Sequence, residues 1–394
     1  MTTRHVVVCA AVRAPIGKFG GSLKDVTTVD LGATVVRAAV ARAGIDPARI
    51  EQAFVGNVIH TDMRDMYLAR AVAINGGLSI ETPALTLNRV CGSGLQAIIS
   101  AAQAIMLGDC DVALAGGVES MSRAPYWLPS LRWGQRINDS TVRDPMVGAT
   151  TDPFAGCAMG ITAENVAKRY GVTRDMQDAW ALQSQQRAAA AQAAGFFDMQ
   201  MVAIDVPMKG GTQAFASDEG IRADSTLATL AKLRPAFDAN GSVTAGNSSS
   251  LNDGAAMLIV AEAQVARAAG WPIVARLVGY SHAGVDPDYM GIGPIPAIQK
   301  LWQRTGIGRD AVALYEVNEA FAAQAVAVTQ TLGLDPAIVN PHGSGISLGH
   351  PLGATGAIIA TKAIHELQRT AQQYAVTSLC IGGGQGIAAM WERA

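Results

Sequence analysis

Residues 340–356 read NPHGSGISLGHPLGATG. Five glycines, two prolines and two histidines fall in these 17 residues. Glycine loses more backbone entropy on folding than any other residue, so this density marks backbone that turns sharply or approaches something closely. The apolar positions of residues 357–367, AIIATKAIHEL, then recur at helical spacing. His350 therefore falls on a glycine-rich loop ahead of an expected helix. A helix N-terminus can hold an anion or a developing negative charge. The competing reading is a tight loop packing two layers of a sheet protein.

Around this stretch the chain repeats itself. In the first part, strands are expected at 6–8, 52–58, 83–87 and 112–115, the last closed by Gly116 and Gly117. Helices are expected at 30–43, stopped by Gly44, and from Cys91, with Leu95, Ile98, Ile99, Ala102 and Ile105 on one face. After residue 272 the pattern resumes. Strands are expected at 273–278 and 313–317, and a helix at 297–305, followed by Gly306. Four landmarks keep one order: Gly44-Ile45 with Gly306-Ile307, Asn57 with Asn318, Cys91 with His350, and Gly116-Gly117 with Gly382-Gly383. Their offsets lie between 259 and 266 residues, the mark of an internal duplication. Each half reads βαβαβ, which predicts an α/β fold with two mostly parallel, helix-covered sheets. Between the halves, from about residue 121 to 250, the alternation weakens and a long helical pattern runs over 174–194. This reads as an insertion.

Length and composition narrow the function. The chain has 394 residues, 49% of them apolar and 16% charged, enough for two or three domains with a large core. A net charge of -2 with no basic run argues against nucleic acid. The N-terminal residues MTTRHVVVCAAVRAP lack a signal-peptide layout, the ending WERA is not a peroxisomal address, and no run of about 18 purely apolar residues suggests a membrane span. Five scattered cysteines suggest neither a disulfide framework nor a zinc site, so a reducing cytoplasm is expected.

Two cysteines stand in chemical contexts. Cys91, in NRVCGSG, sits between a strand and a helix N-terminus, where the macrodipole favours thiolate. Gly92 and Gly94 leave its sulfur open, which favours a nucleophile over a buried structural thiol. Cys380, in SLCIGGGQG, ends a strand before another glycine loop. It is either a second reactive thiol acting as acid or base or a core thiol. Cys9, Cys110 and Cys157, like His5, His60, His282 and His365, read as structural. Asn318, in EVNEAF, lies at a strand end, where an amide can fix a water or a carbonyl oxygen, or simply cap a turn.

These residues stand in motifs that resemble those of the thiolases, the acyl-CoA C-acyltransferases. The motifs are NRVCGSGLQAI around Cys91, GGVESMS at 116–122, TAGNSSSLNDGAA at 244–256, NEAFA at 318–322, GHPLGATG at 349–356 and CIGGGQG at 380–386. They cover essentially the whole chain in the family's order. GSLKDV, RDMYLAR, HAGVDPDYMGIGP and GSGISLGHP add a likeness to broad-range bacterial β-ketothiolases of short-chain and polyhydroxyalkanoate metabolism.

The resemblance implies a five-layered αβαβα fold. Its N-terminal half spans 1–121, completed by 251–271. An inserted loop domain at 122–250 serves coenzyme A binding and oligomerisation, and the C-terminal half spans 272–394. It implies Cys91 as the acylated nucleophile, His350 as its activator and Cys380 as the acid/base for the α-proton. Asn318 holds a water that forms one oxyanion hole with His350, and the amides of Cys91 and Gly382 form the other. Met159, Arg222, Phe237, Ala245, Ser249 and Phe321 contact the coenzyme or substrate, and Met290 lines the acyl pocket. Coenzyme A is a substrate, no prosthetic group or metal is needed, and a homotetramer, a dimer of dimers, is expected.

Two positions depart from the family pattern. Ala158 replaces a usual histidine, which should enlarge or dry the acyl pocket. His342 replaces a usual asparagine and either alters the catalytic loop or points to solvent. A non-catalytic acyl-CoA-binding scaffold and a Cys-His thioesterase are the alternatives. The first predicts a lost catalytic residue, and the second predicts turnover without coenzyme A.

Overall fold

The computed structural model describes residues 4–394. Residues 1–3, the start of the N-terminal half as bounded above, lie outside the described residues. The N-terminal part runs β1 (Val6–Arg13), α1 (Thr28–Ala43), β2 (Gln52–Gly56), α2 (Leu68–Asn75), β3 (Ala84–Leu87), α3 (Ser93–Leu107) and β4 (Val112–Ser120). Two longer helices of the insertion follow, α4 (Met159–Tyr170) and α5 (Arg174–Ala193). Then come β5 (Asn252–Glu262), β6 (Ala275–Gly284), α6 (Pro294–Thr305), β7 (Leu314–Val317), α7 (Ala322–Thr331), α8 (Leu352–Thr370), β8 (Tyr374–Ile381) and β9 (Gln385–Arg393).

The strands lie in the order β7-β8-β9-β6-β1-β5-β4-β2-β3. β1 and β6 join over only two residue pairs, so the hydrogen-bonded order is continuous but narrows there between two sheet halves, each called a sheet below. Neither sheet is mostly parallel, contrary to the expectation from the repeat. β2 pairs parallel with β3 and β4, and β7 with β8, but every pairing of β5, β6 and β9 is antiparallel. At one of these pairs, β8–β9, the physical reason is connection length. β9 returns from β8 after a three-residue turn, Gly382–Gly384, and so short a link allows only an antiparallel neighbour.

Five layers follow from how the strands divide their side chains. In β1, Val6 and Val8 enter one core while Val7 and Cys9 enter another. In β5, Leu258 and Val260 alternate with Met257 and Ile259 in the same way. Strands buried on both faces carry continuous apolar runs instead of alternation. The first core holds α3 and α8 between the two sheets, together with Leu379, Ile387 and Trp391 from the second sheet. The second core packs α1 and α2 on the outside of one sheet. The third packs α6 and α7 outside the other, against Val376 and Met390. The window Val90–Leu107 around α3 is long and apolar enough to cross a bilayer, but Leu95, Ile98, Ile99 and Ile105 are fully buried between the sheets.

The repeat holds at three of its four landmarks. Gly44 and Gly306 are left-handed C-caps, φ 63° and 70°, of α1 and α6. Asn57 and Asn318 follow β2 and β7, and Cys91 and His350 precede α3 and α8. The fourth fails, because Gly116 and Gly117 lie inside β4 whereas Gly382 and Gly383 form a turn. The two β4 glycines are there for clearance. A Cβ on Gly117 would lie 2.0 Å from Gly353 O, and one on Gly116 would lie 2.1 Å from Ala256 O.

Candidate active site

Cys91 stands on a tight elbow between β3 and α3. Gly92 N donates to Arg89 O and Ser93 N to Val90 O, each at 3.0 Å. Ser93 Oγ closes the turn on Val90 O at 2.7 Å and accepts from Arg89 N at 2.8 Å. Val90 has φ 46°. A β-branched residue in this region is strained by about 1–3 kcal/mol. The surrounding hydrogen bonds hold it there and push Cys91 toward the cavity.

His350 reaches the same place from the other half. α8 begins at Leu352, five residues before the expected start, so the helix follows His350 almost directly. Gly353 and Gly356 are helical and serve packing. A Cβ on Gly356 would meet Leu95 N at 2.3 Å, and one on Gly94 would meet Ala357 N at 2.8 Å. The backbones of α3 and α8 therefore touch at glycines beside the residues that precede them. Asn252 Oδ1 accepts from His350 N at 2.9 Å. Thr355 Oγ1 lies 2.7 Å from the ring Nδ1, and Asn318 Nδ2 lies 3.3 Å from Nε2 and 3.4 Å from Nδ1.

Cys380 is the penultimate residue of β8 and packs with Met290, Phe321, Ala320 and Met159. The amides of Gly382 and of Cys91 itself point at the Cys91 sulfur. Burial dominates the proton balance. It pushes the Cys91 thiol up to about 11 despite those two amides. It also raises Cys380, with a further contribution from a charge on Cys91. It drops His350 to about 4. The helix N-terminus thus does not make Cys91 a resting thiolate, contrary to the sequence expectation. Desolvation outweighs the dipole.

A cavity of about 440 Å³ opens onto these groups. Cys91, His350, Gly382, Met159, Arg222, Phe237, Ala245, Ser249, Met290 and Phe321 all line it, as does Ala158. Asn318 and Cys380 stand just behind its wall, both buried. The lining is assembled by cross-links. Ser249 N donates to Ala320 O and Ala322 N to Asn247 O, which lays 244–250 against 320–322. Phe237 covers Gly160 and meets Phe321 edge-on, with centroids 6.1 Å apart. Met159 presses on Gly382, where a Cβ would come within 2.7 Å of its Cε. Ahead of Arg222, Asp218 accepts from Arg13 at 2.8 and 2.9 Å and from Ile16 N at 2.8 Å, tying the insertion to β1.

His342 does not point to solvent. Its Nε2 lies 2.9 Å from Glu366 Oε2 on α8, and its ring packs on Phe196, with centroids 5.0 Å apart. Burial works against the Glu366 carboxylate, but hydrogen bonds from His342 and Arg369 hold it at about 2. Three buried residues escaped the sequence reading. Glu119 accepts from Gly353 N at 2.8 Å, Val58 N at 3.1 Å, Ile59 N at 3.1 Å and Asn57 Nδ2 at 3.0 Å, and so fastens the first turn of α8. Asn252 and Thr355 hold His350. Glu119 and Asn252 lie inside quoted motifs, Glu119 as the one carboxylate after a glycine pair and Asn252 between a serine run and Asp253. Thr355 had no signal beyond its position in the GHPLGATG motif.

The family model for the N-terminal domain of thiolase matches residues 6–264, and that for the C-terminal domain matches residues 271–393. The chain belongs to the thiolase family. It is 56% identical over 392 residues to the β-ketothiolase BktB of Cupriavidus necator, covering 99% of this chain and 100% of the relative. It is 46% identical to the acetyl-CoA acetyltransferase of Escherichia coli, covering 99% of each. A crystal structure of human mitochondrial 3-ketoacyl-CoA thiolase in complex with CoA superposes with a TM-score of 0.97 at 42% identity, covering 100% of this chain and 98% of that one.

Proposed function

We propose that Cys91, His350 and Cys380 carry a thiolase reaction by way of an acyl-enzyme. The protein is an acyl-CoA C-acyltransferase. It cleaves 3-ketoacyl-CoA with coenzyme A to acetyl-CoA and a shortened acyl-CoA, and runs the reverse Claisen condensation. The observation that carries the assignment of roles is convergence. Two thiols and a neutral imidazole, from both halves of the repeat, meet at the end of one cavity walled by the insertion.

In cleavage, His350 takes the Cys91 proton and the sulfur attacks C3 of the substrate. The C2–C3 bond breaks, the acetyl-CoA enolate leaves, and the Cys380 thiol protonates it at C2. The Cys380 thiolate then takes the proton of incoming coenzyme A. The new thiolate displaces Cys91 from the acyl group, and His350 returns its proton. The enzyme ends as it began, and ping-pong kinetics follow. A half-buried thiol pushed up to about 11 needs a base at the moment of attack, which suits a neutral His350. The amides of Cys91 and Gly382 stabilise one oxyanion, and a water held by Asn318 with His350 stabilises the other.

Met159, Arg222, Phe237, Ala245, Ser249 and Phe321 receive coenzyme A, and Met290 faces the acyl group. Coenzyme A acts as a substrate, with no prosthetic group. The chain divides at 121, 250 and 271, the insertion serving coenzyme A and assembly. The protein works in the cytoplasm as a homotetramer, a dimer of dimers. Five free thiols suit a reducing compartment. An edge strand β3 with half-exposed Leu85, beside exposed Met63 and Met66, suits a self-complementary contact.

The test is loss of acetoacetyl-CoA with and without coenzyme A, for wild type and Cys91→Ala. Loss should require coenzyme A, and Cys91→Ala should lower it by about 10³-fold or more. Loss that needs Cys91 but not coenzyme A would instead establish a thioesterase.

A further inference from the structure

A neutral imidazole carries one proton, and a base must carry it on the nitrogen that faces away from the reaction. His350 is buried in the wall between α3 and α8, where each ring nitrogen has a defined neighbour. Nδ1 lies 2.7 Å from Thr355 Oγ1. That same oxygen lies 2.8 Å from Pro351 O, one helical turn back. A backbone carbonyl only accepts, so the single hydroxyl hydrogen of Thr355 goes to Pro351 O. Threonine in a helix commonly makes this bond. The Thr355 oxygen is then left as an acceptor toward the ring, and Nδ1 must donate to it. Asn318 Nδ2, 3.3 Å from Nε2 and 3.4 Å from Nδ1, is nearly equidistant from both ring nitrogens and does not choose between them, so the assignment rests on Thr355.

We propose that Thr355 is a positioning residue that fixes His350 as the Nδ1–H tautomer, leaving the Nε2 lone pair free to take the Cys91 proton. This rests on the reading of His350 as the base. Three links make one rigid unit: Pro351 O receives the hydroxyl, the hydroxyl receives Nδ1–H, and Asn252 holds the His350 backbone N–H at 2.9 Å. The unit lies in the first turn of α8. Glu119 fastens the same turn through Gly353 N. Ring orientation is therefore set by the helix itself and does not depend on substrate. Low basicity from burial keeps the ring neutral, so tautomer choice, and not charge, is the variable that Thr355 controls.

The experiment uses the full-length enzyme with 15N-labelled histidine in magic-angle-spinning NMR, the His350 signals being identified by their loss in His350→Asn. Acetyl transfer from acetyl-CoA to Cys91 is measured in a single turnover. Wild type should show protonated Nδ1 and bare Nε2 at pH 7. Thr355→Val, nearly isosteric, should shift the ring toward Nε2–H and slow acetyl transfer by about 10- to 100-fold, with KM for coenzyme A unchanged within about twofold. Thr355→Ser should restore both tautomer and rate. Protonated Nε2 in wild type overturns the proposal, and so does a Thr355→Val enzyme that keeps both the tautomer and the rate. A tautomer shift without loss of rate removes Thr355 from the reaction. His350→Asn, assayed in parallel, separates that outcome from failure of the base assignment, since full activity in His350→Asn would refute the latter alone.

Discussion

At pH 7 burial keeps the Cys91 thiol, the Cys380 thiol just behind the cavity wall and the His350 imidazole all uncharged, a set with no net charge until a proton moves. The pH behaviour follows from this. Free histidine titrates near 6.5, but burial drops His350 to about 4. The acid limb of kcat/KM should therefore fall near pH 4–5, with activity flat through pH 6.5. A limb centred at 6.5 would refute the neutral-base reading. The stability consequence has the same sign. The unfolded chain takes the His350 proton near 6.5 and the folded chain only near 4, so folding loses free energy as pH falls through that window. At this scale the convergence of Cys91, His350, Cys380 and Asn318 on one place was legible, since each stood in a glycine-rich or strand-end context. The strain at Val90 was not legible, because a β-branched residue gives no local sign of a left-handed turn. The Asn252 and Thr355 bonds to His350 were also hidden. The first spans 98 residues, and the second depends on where α8 starts.

Among the elements, α8 was the one most misread. Its early glycines looked like loop because intrinsic propensity disfavours them in helices. The close approach of α3 decides otherwise, with backbone contacts that leave no space for a methyl group. The helix carries a second constraint deeper in. Lys362 is buried and donates to Glu316 Oε2 on β7 at 2.8 Å and to Gly343 O at 2.5 Å. Burial raises the Glu316 carboxyl, and Lys362 offsets part of that shift. Lys362→Met should therefore strand a buried carboxylate and destabilise the protein by about 3–5 kcal/mol. Lys362→Met with Glu316→Leu should recover most of the loss. Thermal melting of the two variants checks this, and equal melting points would show that the ion pair is not what matters. Strand direction, too, was only half legible. Periodicity finds strands but not their sense, and the GGG turn before β9 was the available clue to an antiparallel return.

For the whole molecule, the duplication was visible in spaced landmarks because both halves place a chemically distinctive residue, Cys91 or His350, just before a central helix. The buried Arg13–Asp218 bridge, which couples the insertion to β1, was invisible, its partners lying 205 residues apart. Arg13→Met should free residues 218–222, which run up to Arg222 in the cavity. We expect KM for coenzyme A to rise several-fold with kcat changed less, together with a loss of about 3–5 kcal/mol in stability. An unchanged KM would mean that the insertion holds its shape without the bridge. Assembly is testable on the intact enzyme. The 40.8 kDa chain should elute with about four times that mass. Leu85→Lys on edge strand β3 should shift it to smaller species. An unshifted mass would move the contact elsewhere.

The glycine contact between α3 and α8 also limits how this enzyme can diversify. With Gly94, Gly117, Gly353 and Gly356 already at backbone distance, none of the four has room for a methyl group, so the packing of the two central helices behind Cys91 and His350 is fixed. Changes of acyl preference in this protein are therefore expected from cavity-lining side chains away from that contact, such as Ala158, Met159, Phe237 and Met290. Mutant libraries aimed at new substrates should be drawn from those positions.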